Sequence, residues 1–435
     1  MKELISILIL PKKLNFQQTK PMKNDILTHL NDPVRLEKMY RTDKLTFKRE
    51  FIKLYPDVKG TLPADFWNER LNYENDGIIW GTKRELGFVL IASLLAGLIA
   101  KIPAWFTISE DFFYPRNIGF IVFPALMAYF IWKNNLSKGK TAFVVGSVIV
   151  SLIFINTLPD VRNSDTLILS CLHLVLVLWG LLGFTFVGES GNMEGKRLGY
   201  LKYNGDLLVM TALILIAGGI MSAITIGLFS LIGYKIEVIF EEYIIIFGLP
   251  AAPILGTYLT QTNPLLVGKV SPVIAKIFSP LVLVMLVIYL CAMVYSGKDP
   301  YNDREFLLIF NALLIGVLAI IFFSVAETSE AGKSRMEIWI LFLLSIVTIL
   351  VNGIALSAIL FRIAEWGLTP NRAAVLGGNG LILINLLLVT AQLFKAISKR
   401  ADLSGVRKAI AQYLPIYVLW TIIVTFLFPF LFNFK

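Results

Sequence analysis

A chain of 435 residues that is 56% hydrophobic, with a mean hydropathy of +0.72, carries more apolar surface than a water-soluble fold can hide. Its net charge of +10 looks like a nucleic-acid signal until it is located: Lys23 to Glu85 holds twelve Lys/Arg against eleven Asp/Glu, so the excess sits in Met1–Met22 and in short loops between apolar runs, where membrane orientation places it. That distribution excludes nucleic acid as a partner, and two cysteines, Cys171 and Cys291, both inside apolar runs, exclude a disulfide framework.

The chain opens on Met1–Met22. Only Leu4–Leu10 is continuously apolar, Glu3 interrupts the basic start and no small-residue cleavage site follows, so a secretory signal is not expected. Composition leaves a disordered tail and an upstream start, with Met22 as a second beginning, as equal readings.

Residues 23–85 read as a small helical head. Asp32 before Pro33 is an N-cap followed by proline at the first helical position, with Leu36, Met39 and Tyr40 on one face. Leu45, Phe47, Phe51 and Leu54 carry a second helix that Tyr55-Pro56 is expected to end. Pro63 opens a third, with Phe66, Trp67 and Leu71 on its inner side. A head this small buries little core. It is expected to be supported by the membrane domain at its cytoplasmic face, with docking of a protein partner as the alternative.

From residue 86 onward the sequence predicts an all-α, polytopic transmembrane bundle. Apolar runs long enough to cross a bilayer fall at 86–105, 117–133, 141–158, 166–187, 207–232, 238–260, 277–296, 306–326, 338–361, 373–394 and 413–433. The lipid bilayer is thus a partner. Trp80, Trp105, Trp132, Trp339 and Trp366 lie at span edges, where amphipathic rings prefer the headgroup level. With the head inside, the inner loops hold fifteen Lys/Arg and the outer loops eight, counting Lys101, which predicts an internal amino end and an external carboxyl end.

Three places break the apolar pattern. In the fifth span, Gly219, Ala223 and Gly227 form a small-xxx-small stripe suited to a tight helix crossing. In the sixth, Pro250 and Pro253 each remove a backbone donor, and Thr257, Thr260, Gln261, Thr262 and Asn263 make a polar rim. The linker Pro264–Ser279 is apolar but broken by Pro272, and is expected at the interface or re-entrant. In the tenth, Gly377-Gly378-Asn379-Gly380 weakens the helix, either for close packing or as an unwound, substrate-lining segment. A transport site would bring Pro250, Pro253 and Thr257 to face Gly377, Gly378, Asn379 and Asn385 across a mid-depth cavity.

Chemistry that needs charge is scarce. His173 is the one histidine in a span and His29 lies in the head; a lone neutral histidine can satisfy itself on nearby backbone. Glu237, Glu241 and Glu242 cluster at the edge of the sixth span and Glu327 ends the eighth. No histidine pair, metal-ligand spacing or phosphate-binding glycine loop is present, so neither an enzyme nor a cofactor is expected.

The most distinctive string is Phe361-Arg-Ile-Ala-Glu-Trp-Gly-Leu-Thr-Pro-Asn-Arg372. Arg362 and Glu365 are i, i+3 on a last helical turn, Gly367 can end it, and Thr369-Pro370 can cap and start the next helix. The matching residues Arg362, Ile363, Glu365, Trp366, Gly367, Leu368, Thr369 and Arg372 resemble the signature of the bacterial domain-of-unknown-function family 4153, with tryptophan where tyrosine is usual. Phe278-Ser-Pro-Leu-Val with Tyr289, and Asp32-Pro33 through Arg70-Leu71 of the head, are similar to other parts of such proteins. The resemblance implies a polytopic protein of the bacterial inner membrane and no particular chemistry. Arg362, Glu365 and Arg372 are expected to form a structural clasp, with recognition of an anion as the alternative. A permease-like role for a small or lipid-like substrate is the first functional expectation, and a membrane scaffold or sensor that docks a partner through its head is the second.

Overall fold

The computed structural model describes residues 22–73, 81–161, 164–231, 235–264, 279–284, 286–288, 290–291, 304–326, 335–399 and 403–435, with side chains omitted at 22, 44, 45, 49, 224, 227–231, 304–310, 312 and 399. Among these residues every regular element is helical. The first 21 residues, Trp80, residues 265–278 of the expected linker, Tyr289 and Glu327 lie outside them. The chain divides into two compact units, Met1–Ile78 and Ile79–Lys435.

The first unit holds α1 (Met22–Thr28), α2 (Pro33–Thr42), α3 (Lys44–Val58) and α4 (Leu62–Tyr73). Asp32 starts α2 as expected, its Oδ1 accepting from Arg35 N at 3.0 Å. Asp43 serves two helices: its N–H donates to Met39 O, closing α2, and its Oδ1 accepts from Thr46 N, opening α3. Pro56 does not end α3, which runs on to Val58. In the final turn its missing donor costs a single intrahelical bond, and the chain turns instead at Gly60, where φ is +91°. Ile26, Leu36, Tyr40, Phe47, Phe51, Leu54, Trp67 and Leu71 make the core, each large apolar side chain contributing about 1.5–3 kcal/mol. Phe66 points outward, contrary to the sequence reading, and is 60% exposed; the inner face of α4 is Ala64, Trp67 and Leu71. Arg70 lies over Trp67 and pairs with Glu37 at 2.9 Å. The Arg41 guanidinium, 2.7 Å from Glu37, is the main cause holding that carboxyl below its usual range.

The second unit contains α5 (Lys83–Phe106), α6 (Glu110–Lys133), α7 (Lys138–Thr157), α8 (Asp165–Val187), α9 (Met193–Leu231), α10 (Glu237–Thr262), α11 (Ser279–Ile288), α12 (Arg304–Ala326), α13 (Arg335–Trp366), α14 (Pro370–Lys399) and α15 (Ser404–Leu431). Nine of the described helices are long and apolar enough to cross a membrane; α11, and α12 over Leu313–Ala326, are shorter apolar helices at the expected seventh and eighth spans. Their outward faces are apolar too, as at Leu90, Ile91, Leu94 and Leu95 on α5. Water does not tolerate such faces and a bilayer does. The protein is a multi-pass membrane protein.

Two apolar clusters organise these helices. One joins α5 to α10 through Val89, Ala96, Met127, Phe130, Leu178, Tyr203 and Tyr258; the other joins α11 to α15 through Leu286, Ile321, Leu344, Val351, Leu386 and Val406. The Trp179 side chain borders both. Small residues set the closest approaches: a Cβ on Gly97 would overlap Phe247, and one on Gly205 would overlap Phe323. The expected crossing at Gly219 is not seen among the described residues. No atom lies within 4 Å of a Cβ built there, and Ala223 is exposed.

Neither proline pair nor glycine run breaks its helix. α10 is continuous through Pro250 and Pro253, and its irregularity is a π turn at Phe240–Ile245. α14 is continuous through Gly377–Gly380. The bundle absorbs the defects side chain by side chain. Pro415 and Pro429 of α15 cannot donate to the carbonyls four residues earlier, Ala411 and Thr425. Arg197 of α9 donates to Ala411 O at 3.2 Å, and Ser170 Oγ of α8 donates to Thr425 O at 2.8 Å.

Candidate functional site

The hairpin of α13 and α14 positions the most polar interior of the second unit. Along α13 the buried face carries Ser345, Thr348 and Asn352, with Ala355 and Ala358 beyond. Helical spacing puts these side chains on one stripe, and α14 answers with Asn379 and Thr390 on one face and, about 120° round the helix, with buried Asn385. Asn352 Nδ2 donates to Asn379 O at 3.0 Å, and Asn379 Nδ2 donates to Asn311 Oδ1 of α12 at 2.8 Å. Thr390 Oγ1 donates to Ser345 Oγ at 2.9 Å. Three helices are thus joined by an asparagine chain. Asn352 lies 13 residues after Trp339 and 14 before Trp366, so it sits about 20 Å from each tryptophan, at mid-depth of its helix.

This seam is incompletely satisfied. Asn352 and Asn385 are each 0% exposed, yet Asn352 Oδ1 and both polar atoms of the Asn385 amide have no hydrogen-bond partner among the described residues. Tyr417 OH and Trp420 Nε1 of α15, on half-buried side chains, are likewise buried atoms without a partner among the described residues. Each such group costs about 1–3 kcal/mol when left unmade, so their concentration in one bundle is a chemical signal rather than noise.

Of the expected lining, Asn379 and Asn385 belong to this seam. Gly377 does not line it: a Cβ there would overlap the Trp420 ring, and Gly378 borders the same ring. Pro250, Pro253 and Thr257 lie on α10, which belongs to the other cluster through Ile254 and Tyr258. Thr257 Oγ1 is 2.8 Å from Tyr203 OH and also donates to Pro253 O at 2.9 Å. α10 packs on α5 and α9, and α14 on α13 and α15. The expected cavity between the sixth and tenth spans is therefore not how these residues are arranged.

The Phe361–Arg372 turn is built largely as its residues suggest, with one exchange. Gly367 takes φ of +76° and donates to Ile363 O at 2.9 Å, and Thr369 Oγ1 accepts from Arg372 N at 3.3 Å. Glu365 is exposed and makes no ion pair with Arg362, so the expected clasp is corrected. Arg372 closes the turn instead, its Nη1 donating to Trp366 O at 2.9 Å and Gly367 O at 2.7 Å. The guanidinium carbons of Arg362 and Arg372 lie 5.8 and 5.6 Å from the Trp366 ring centroid.

Sequence reasoning passed over several polar groups. Asn311 and Asn352 are single asparagines in apolar runs, and the Ser345-Thr348-Asn352 spacing was the available signal. Lys101 is 6% exposed and donates to Glu242 O at 2.9 Å and its carboxylate at 3.4 Å, meeting the carbonyl within the π turn of α10. Arg116 is buried and pairs with Asp160 at 3.0 Å, beside a reciprocal amide pair of Asn117 and Asn156. Both cations look like loop charges in the sequence because each lies near a helix end. His173 Nδ1 contacts Leu169 O at 2.9 Å, a local contact four residues back.

No family model, no curated protein and no solved structure matches this chain.

Proposed function

We propose that this membrane protein has a permease-like role for a small or lipid-like substrate, with the α12–α14 seam as its substrate path. The observation that carries the reading is the Asn311–Asn379–Asn352 chain across three helices at mid-depth. Polar side chains in a bilayer interior are expensive and are kept where they bind or conduct. The described residues contain no group of His, Cys, Asp and Glu able to hold a metal, and the reading invokes neither catalysis nor a cofactor. Purified protein in proteoliposomes should release trapped small neutral solutes faster than empty vesicles, and Asn352→Leu should abolish the difference. Equal release from protein-containing and empty vesicles, across solutes, contradicts the permease role.

We place the chain, on the Arg362–Arg372 string, in family 4153 and in the bacterial inner membrane with the head in the cytoplasm. The fifteen-to-eight basic bias supports that orientation. Reporters fused after Lys408 and after Lys435 should then report opposite sides; the same side for both removes α15 as a span. A scaffold or sensor role has its own supporting observation. Leu62 and Phe66, one turn apart on α4, are 85% and 60% exposed, an apolar pair suited to a protein partner. Crosslinking from Phe66 in cells distinguishes the two: a single captured protein, with no solute release in vesicles, favours the scaffold.

A further inference from the structure

The unpartnered atoms of the seam have a definite chemistry. Asn385 offers both a donor and an acceptor, Asn352 an acceptor, and Tyr417 a hydroxyl that can be either. Their levels follow from the helix registers. The links Asn352–Asn379 and Ser345–Thr390 bracket Asn385 along the antiparallel α13–α14 pair. On the other side, the approaches Gly377–Trp420 and Gly405–Gln392 place Tyr417 near the level of Gly380. At 1.5 Å of rise per residue, Asn352, Asn385 and Tyr417 fall within about 8 Å of one another along the bundle axis. Three adjoining helices therefore each present a buried, unanswered polar atom at nearly one depth.

Charge decides which ligand suits them. The buried polar residues of α12 to α15, among those described, are Ser324, Ser345, Thr348, Asn352, Arg362, Asn379, Asn385, Thr421 and Thr425. Arg362, the one charged member, is ten residues from Asn352, about 15 Å along α13. An ion entering the seam would give up its hydration with no counter-charge beside it among the described residues, a penalty of several kcal/mol. A cation would also leave the Asn385 Nδ2 donors unanswered, and an anion would leave Asn352 Oδ1 unanswered. A neutral molecule with donor and acceptor answers both.

We infer that Asn352, Asn385 and Tyr417 form a binding site for a small neutral solute bearing both a hydrogen-bond donor and an acceptor, such as a primary amide. The inference rests on the permease reading for its purpose and on the orphaned groups for its chemistry. Its test is equilibrium binding of radiolabelled acetamide to the purified full-length protein in detergent, for wild type and Asn385→Leu. Wild type should bind saturably, and the variant about tenfold or more weaker, because a polar contact is lost from a buried site. N,N-dimethylacetamide, which has no donor, and sodium ion should not compete. Because Asn385 has no partner to lose among the described residues, the variant should melt at the wild-type temperature or above it. Absence of saturable binding, displacement by sodium, or a lower melting temperature for Asn385→Leu would each overturn the inference. Binding without release from vesicles upholds the site and removes the permease reading.

Discussion

Two hydrogen bonds from the Arg372 guanidinium, to the carbonyls of Trp366 and Gly367, occupy acceptors that the end of α13 leaves without helical partners. Glu365, one residue before Trp366, is exposed and contributes no ion pair to the turn. Arg372→Ala should therefore lower stability by about 1–3 kcal/mol, the worth of charge-assisted bonds to partly shielded carbonyls. Glu365→Gln should stay within about 0.5 kcal/mol of wild type. Melting temperatures of the two variants in one detergent check this, and equal losses would restore Glu365 to the clasp. A second residue-scale prediction concerns pH. Lys140 Nζ, 2.7 Å from Glu189, and the Ser137 N–H lower the Glu189 carboxyl from the ordinary 4.5 to about 2. A folded value below the unfolded one means that the contribution is fully present above pH 4.5 and is lost as pH falls through about 2. Glu189→Gln should flatten that part of the stability curve; an unchanged acid limb would show the pair to be idle. Composition and spacing made the caps legible, as at Asp32, Gly367 and Thr369. They did not reveal which of two nearby arginines closes a turn, because that depends on where the chain goes after the helix ends.

Proline and glycine show why the interior of the elements was harder to read. In the sequence, Pro250, Pro253 and the Gly377–Gly380 run look like breaks, since each weakens a helix considered alone. In the bundle both helices continue, and at Pro415 and Pro429 of α15 a neighbouring helix supplies the missing interaction. Ser170 on Thr425 O, below Pro429, is the clearest case. Ser170→Ala should cost about 1 kcal/mol. In a Pro429→Ala background the restored backbone N–H can answer Thr425 O, so the same change should cost close to nothing, a coupling of about 1 kcal/mol. Identical penalties in both backgrounds would mean that the hydroxyl is not standing in for the proline. Gly377 follows the same logic through shape: its missing side chain is the space filled by Trp420. The length and apolarity of each helix were legible because they depend on the segment alone. The partner of each defect belongs to a different helix and was not.

At the scale of the whole molecule, hydropathy announced a membrane protein, and nine helices among the described residues have the required length and composition. Hydropathy does not say which helices adjoin. The expected pairing of the sixth and tenth spans gave way to two clusters, one from α5 to α10 and one from α11 to α15. Asn385, singled out in the sequence only as a lining residue, has both of its polar atoms buried and unpartnered among the described residues. The central claim is that this interior is a solute path rather than a sealed packing seam. Thiol accessibility in native membranes tests it most directly, in a background where Cys171 and Cys291 are replaced. Asn385→Cys should react with a small water-soluble methanethiosulfonate, and acetamide should slow the reaction. Leu388→Cys, on the outward apolar face of the same helix, should not react. An Asn385→Cys that stays unmodified in membranes and reacts only after unfolding would contradict the account.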